Sequence, residues 1–247
     1  MHILAVNDDG IDSPGIELLA RIMGEHGRVS VVAPHSEQSA IGHGITIHEP
    51  IRLHHREDLF PGIDSWSLEA KPADCVKFAL YALNLDIDLV VSGVNNGPNL
   101  GTDITYSGTL AGASEGVICG IPAIAVSTDF DRLEIVRNEL PELIRRVLQA
   151  DVLNPDIVLN INFPRKDYEV SKGLRITRMG YRPFLHDFVE ENGVYWSRGD
   201  WDAAENAEGS DVWAWEQGYV SLTPIQINRT DERYHRVLSG KMDQLNI

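Results

Sequence analysis

Short apolar runs alternate with stretches of helical periodicity through the first two thirds of the chain. Residues 2–6 (HILAV) and 29–33 (VSVVA) read as buried parallel strands, with apolar residues at helical spacing over 14–23 between them. That is one strand–helix–strand unit. Residues 66–69 predict a further strand, after which Pro72 sits at the first position of a helix continued by Ala73, Val76, Lys77 and Leu80. Strand candidates follow at 89–91, 124–126 and 157–159, separated by a helix beginning near Ser107 and another over 133–148. This alternation predicts an α/β fold with a mostly parallel sheet covered by helices on both faces.

The pattern changes after Pro164, so residues 1–164 are expected to form the catalytic core and 165–247 a smaller β-rich region. Trp196, Trp201, Trp213 and Trp215 fall there, and Glu190-Glu191-Asn192-Gly193 suggests a hairpin turn. Core or subunit-interface packing accounts for these tryptophans better than a base-stacking platform does. A terminal helix over 230–245 carries Tyr234, Val237, Leu238, Met242 and Leu245 on one stripe, which a neighbouring subunit could cover.

Composition narrows the function. The 247 residues are 43% hydrophobic with a mean hydropathy of -0.17, which suits a globular core. With 37 acidic against 21 basic residues the net charge is -16, which disfavours binding to nucleic-acid polymers. No apolar stretch reaches membrane-spanning length, and the first residues lack a basic leader region, so no membrane association and a cytoplasmic location are expected. Cys75 and Cys119 are too few for a disulfide framework and read as reduced core residues.

Three segments are crowded with oxygen acceptors and hold no Lys or Arg: 7–10, 34–46 and 92–109. Each follows a strand candidate, and in open α/β sheets ligands bind beyond the carboxyl ends of the strands. Asp8 and Asp9 repel one another unless a cation lies between them, and no basic side chain is close in sequence. A hard divalent ion, Mg2+ or Mn2+, is the cation such a set selects above zinc or copper, with His35 and His43 as the residues that would suit a softer metal. Candidate ligands are Asp8, Asp9, a hydroxyl from Ser36 or Ser39, and Asn95, Asn96 or Asn99. Alone, Asp8-Asp9-Gly10 could equally be a solvated helix-capping turn; coincidence with two more such loops favours the metal.

Ser107-Gly108-Thr109 opens a small-residue helix straight after the Asn-rich loop. Free amides there, with the positive end of the helix dipole and two hydroxyls, form a phosphate cradle, whereas a simple N-cap would explain only Ser107. Neither a dinucleotide fingerprint nor a Walker-type Lys is present, which disfavours NAD and nucleoside triphosphates. Two acids holding a metal beside such a cradle point to phosphomonoester hydrolysis by metal-activated water, with Asp8 and Asp9 as the catalytic pair. Covalent aspartyl-phosphate catalysis is the rival, but its Asp-x-Asp spacing is absent because Gly10 stands two beyond Asp8. A non-catalytic nucleotide-binding or sensing protein is the alternative from another class.

The segments Val6-Asn7-Asp8-Asp9-Gly10-Ile11-Asp12-Ser13-Pro14-Gly15-Ile16, Glu37-Gln38-Ser39, Pro72-Ala73-Asp74-Cys75-Val76, Ser92-Gly93-Val94-Asn95 and Tyr106-Ser107-Gly108-Thr109 together resemble the SurE (stationary-phase survival protein) family. Gly218-Tyr219-Val220-Ser221-Leu222-Thr223-Pro224 extends the likeness. The resemblance implies a Rossmann-like core and a divalent-metal-dependent 5'-nucleotidase acting on nucleoside monophosphates. It implies Asp8, Asp9, Ser39 and Asn95 as metal ligands and Asn99, Ser107, Gly108 and Thr109 as phosphate contacts. It also implies a homodimer or homotetramer whose C-terminal regions exchange elements. The chain departs from the commoner family pattern at Ala70-Lys71-Pro72, Pro34-His35-Ser36 and Gly209-Ser210-Asp211.

Overall fold

The computed structural model describes residues 1–201 and 205–244. Six strands run parallel: β1 (His2–Val6), β2 (Arg28–Pro34), β4 (Asp64–Leu68), β5 (Leu89–Asn96), β6 (Ala123–Thr128) and β7 (Ile157–Asn162). Antiparallel β3 (Leu53–His55) extends one edge beside β4. At the other edge β11 (Val220–Gln226) pairs antiparallel with β7, and β8 (Leu174–Ile176) runs parallel to β11. The order is β3-β4-β2-β1-β5-β6-β7-β11-β8, so the chain reverses its direction of travel between β1 and β5. That reversal opens a crevice at the carboxyl ends of β2, β1 and β5. The fold is therefore the α/β, Rossmann-like arrangement expected, with a separate antiparallel hairpin of β9 (Phe184–Glu191) and β10 (Val194–Trp201) turning at Asn192-Gly193.

Four helices cover the sheet, and the two-residue period of the strands decides which face each side chain joins. In β1, Ile3 and Ala5 pack under α1 (Pro14–Gly24) and α4 (Leu133–Gln149), whereas Leu4 and Val6 pack under α2 (Pro72–Tyr81) and α3 (Gly108–Ile118). Local sequence starts these helices. Ser13 Oγ accepts from the Ile16 amide ahead of Pro14, and Ser107 Oγ accepts from the Leu110 amide at 3.0 Å. A Cβ at Gly15 would lie 2.0 Å from the Val94 carbonyl oxygen, so only glycine lets α1 begin this close to β5.

Several details differ from the sequence expectation. Strand β5 runs on to Asn96, because Asn95 and Asn96 pair with Ser127 and Thr128 across a register shift after Ser92. Both asparagines thus sit on a bulged strand end, which re-aims them, and not in a free loop. Cys75 is buried in the core, but Cys119, at the end of α3, is only partly buried. Trp196 and Trp201 are exposed on the hairpin, outside the core of the single chain. From 165–247, β8 and β11 join the main sheet, followed by α6 (Glu232–Gln244), which has no buried residue. Leu245 lies outside the described residues. No described helix is long and apolar enough to cross a membrane.

The buried carboxylate of Asp211, in α5 (Asp211–Glu216), ties this C-terminal stretch to the Asn-rich loop. It accepts from the amides of Gly101 (2.9 Å), Gly180 (2.7 Å) and Val212 (2.8 Å). Asp211→Ala leaves these donors unpaired, and a loss on the order of 3 kcal/mol is expected in urea unfolding, with Asp211→Asn intermediate. Equal midpoints for wild type and Asp211→Ala would show that the knot contributes nothing.

Candidate active site

Asp8 and Asp9 lie just past the end of β1, with β2 on one side and β5 on the other. Asp8 is 6% exposed and Asp9 half-buried. Asn7 donates to Gly10 O (2.8 Å) and Ser13 Oγ (2.9 Å), which fixes the turn that presents the acids. Asp8 Oδ1 accepts the hydroxyl of Thr109 at 2.7 Å. A Cβ at Gly108 would lie 2.7 Å from Asp8 Cβ and 2.8 Å from its Oδ2, so the absence of a side chain there is what lets Asp8 rest against the first turn of α3. Asp8 and the first turn of α3 are in direct contact.

Electrostatics mark the pair as incomplete. Burial pushes the Asp8 carboxyl above its ordinary range despite hydrogen bonds from Thr109. Asp9 is pushed up to about 7, first by burial and then by the charge of Asp8, with the Asn96 amide opposing at 3.1 Å. Glu37, which sequence reasoning noticed only as part of a motif, adds negative charge against both acids. Among the described residues no Lys or Arg is a leading influence on either acid.

The second loop closes on the first through the Gln38 amide, which donates to Asp8 O at 2.7 Å. Ser39 Oγ donates to Glu37 Oε1 at 2.6 Å. Asn95 donates through Nδ2 to Gly97 O (2.8 Å), which leaves its Oδ1 as an acceptor for another group. Ser36 offers its carbonyl to Gln38 and Asn96 offers Oδ1 to the Phe130 amide. Among the described residues no three His, Cys, Asp or Glu side chains converge on one metal position, and an ion held by Asp8 and Asp9 would draw its other ligands from neutral oxygens. Two carboxylates with neutral oxygens and water suit Mg2+ or Mn2+, and the uncompensated charge fits such an ion.

Asn99 is buried. Its Nδ2 donates to Ser127 Oγ (2.9 Å) and Thr109 Oγ1 (3.4 Å), its amide to Asn162 Oδ1 (2.7 Å), and its carbonyl accepts from Asn160 and Asn162. This network holds the Asn-rich loop against β6 and β7 and reaches Asp8 through Thr109. Sequence reasoning missed Ser127, Asn160 and Asn162. The signal was present: two asparagines two apart in the apolar run Ile157-Val158-Leu159-Asn160-Ile161-Asn162 lie on one face of a buried strand.

Comparison with known proteins shows the family. The family model described as Survival protein SurE matches residues 3–185, and the chain is 42% identical to 5'-nucleotidase SurE 1 of Thermus thermophilus, covering 98% of both chains. The chain belongs to the SurE family. Another member, 5'-nucleotidase SurE of Heliobacterium modesticaldum, is 41% identical over 94% of this chain and 88% of its own. The crystal structure of the SurE protein from Aquifex aeolicus superposes with a TM-score of 0.83 at 36% identity, covering 99% of each chain, so the family fold spans the whole protein.

Because the folded-state Asp9 value lies above the ordinary one, the native state binds the extra proton more tightly. Its contribution to stability is therefore present below about pH 4 and lost as pH rises to about 7. In chelator, Asp9→Asn is expected to be more stable than wild type at pH 8 by on the order of 1–2 kcal/mol, with the gain fading towards pH 4. Urea unfolding at both pH values measures it; a less stable variant at pH 8 would show that Asp9 is already neutralised.

Proposed function

We propose that this protein is a 5'-nucleotidase that hydrolyses nucleoside 5'-monophosphates to nucleoside and phosphate with Mg2+ or Mn2+. The observation that carries the reading is the adjacent acid pair, buried Asp8 and half-buried Asp9, of which Asp8 is hydrogen-bonded through Thr109 to the end of α3 that would bind phosphate. Its relatives, named as 5'-nucleotidases at about 40% identity over nearly the full chain, support it. Asp8, Asp9, Ser39 and Asn95 would hold the ion. When bound, the ion supplies Lewis acidity and lowers the pKa of water. Amides at Gly108 and Thr109, the Ser107 hydroxyl and the α3 dipole would hold the phosphoryl oxygens, and Asn99 would donate to them by giving up its 3.4 Å bond to the Thr109 hydroxyl.

In the reaction a water oxygen bonds to phosphorus, the ester P–O bond breaks, and the nucleoside leaves as an alcohol. Burial of Asp8 and the hydrogen bond on its Oδ1 disfavour it as a covalent nucleophile. A sensing protein without turnover would gain nothing from two buried acids next to an anion site, since they repel the phosphate unless an ion intervenes.

A panel of nucleoside monophosphates, assayed for phosphate release, tests the reading. Turnover is expected to vanish in chelator, to return with Mg2+ or Mn2+, and to fall at least about 100-fold in Asp8→Asn, Asp9→Asn and Gly108→Ala with the fold retained. Tight nucleotide binding without phosphate release would favour the sensor instead.

The reading includes a cytoplasmic location and assembly into a homodimer or homotetramer through residues 165–247, the oligomerisation region beside the 1–164 core. Helix α6 leaves Tyr234, Val237, Leu238 and Met242 exposed, and the hairpin leaves Phe188, Tyr195 and Trp196 exposed. Sedimentation velocity should give a dimer or tetramer, and removal of 230–247 should shift it towards monomer; a monomeric full chain would reject this part.

A further inference from the structure

Helix α3 is made of small and apolar residues with one charged exception, Glu115, which is 2% exposed. Burying a carboxylate is costly unless it is paired, so its partners indicate what it holds. Two elements supply them. Lys77 Nζ, from α2, lies 3.2 Å from Oε1, and His43 Nε2, from the 34–46 loop, lies 2.8 Å from Oε2. An ionised carboxylate only accepts, so Nε2–H is the donor. Burial pushes the Glu115 carboxyl up, yet hydrogen bonds from His43 and Lys77 outweigh it and hold it below the ordinary range.

His43 stands four residues beyond Ser39 in a segment that needs restraint. Ala40 has φ 56°, an uncommon conformation for a side chain with a Cβ, and persists only when its surroundings impose it. The segment is pinned at three points. The Gly42 amide donates to Tyr106 O (2.9 Å), His43 donates to Glu115, and Thr46 donates through its amide and hydroxyl to Asp74. The first two points belong to α3 and its approach, the element whose opening turn is the phosphate cradle.

We infer that Glu115 is a positioning residue which, through His43, sets the Ser39 loop against the phosphate-binding end of α3, so that one buried carboxylate fixes metal ligand and cradle relative to one another. The inference rests on the nucleotidase reading above. Lys77 provides an internal control, because it pairs with the same carboxylate from α2, an element that holds the loop at Thr46 through Asp74 and not at the stretch from Ser39 to His43.

The test is Mn2+ binding to the full chain by calorimetry, with the Mn2+ concentration for half-maximal turnover as a second readout. His43→Ala should weaken Mn2+ binding about tenfold or more, the scale expected when support behind a metal ligand is lost. His43→Gln, which can keep an N–H donor, should recover most of it. Lys77→Ala should change Mn2+ affinity less than about threefold even if it lowers stability as much as His43→Ala does. Wild-type affinity in His43→Ala, or equal losses in His43→Ala and Lys77→Ala, overturns the inference alone. A wild-type chain that binds no Mn2+ overturns the nucleotidase reading and this inference with it.

Discussion

Two carboxylates on consecutive residues at the rim of a parallel sheet repel one another, and their burial removes the water that would screen them. The groups around Asp8 and Asp9 offset that tension only in part. Thr109 donates to one acid and the Asn96 amide to the other, while Glu37 adds further negative potential. A fold that keeps this arrangement gives up stability at neutral pH, as functional sites commonly do. Binding of a divalent ion would reverse the sign of the interaction, turning mutual repulsion into shared attraction.

The same acids explain why polar side chains sit deep in an otherwise apolar sheet. Asn99, Ser127, Asn160 and Asn162 bond to one another behind Thr109, with Asn160 Oδ1 left without a partner among the described residues. Buried hydrogen-bond networks restrain the groups they join. Here the bonds lead to the Thr109 hydroxyl, which donates to Asp8. Glu115 plays the corresponding part on the opposite side of α3, where His43 links it to the loop of Ser39. The first turn of α3, Asp8 and the Ser39 loop are thus braced from two directions.

The strands and helices of the first 164 residues were legible because buried parallel strands are continuous apolar runs and the helices between them keep their spacing. Ser107 announces the start of α3 in the sequence and caps it in the structure, whereas the cap of α1 by Ser13 emerged only in the structure. The short edge strands β3 and β8 were not legible: three residues carry no periodicity, and Leu53–His55 and Leu174–Ile176 become strands only because β4 and β11 offer open edges. Glu37 was visible as a residue but not as a charge acting on Asp8 and Asp9. Glu115, a lone acid in a small-residue helix, carried a signal in sequence that only its partners make meaningful.

The sequence by itself determined the chemistry on offer: which oxygens stand at the ends of which strands, how little positive charge lies beside them, and where a helix begins with free amides. Tertiary structure alone decided which of those oxygens meet. Asp8 and Thr109 are 101 positions apart, Asn99 and Asn162 are 63 apart, and His43 and Glu115 are 72 apart. Such distances depend on strand order, on the bulge in β5 and on close approaches that glycines permit, all of them consequences of packing remote segments together. Local periodicity records the face a residue prefers, but the neighbour it finds there is set by the pairing of the whole sheet.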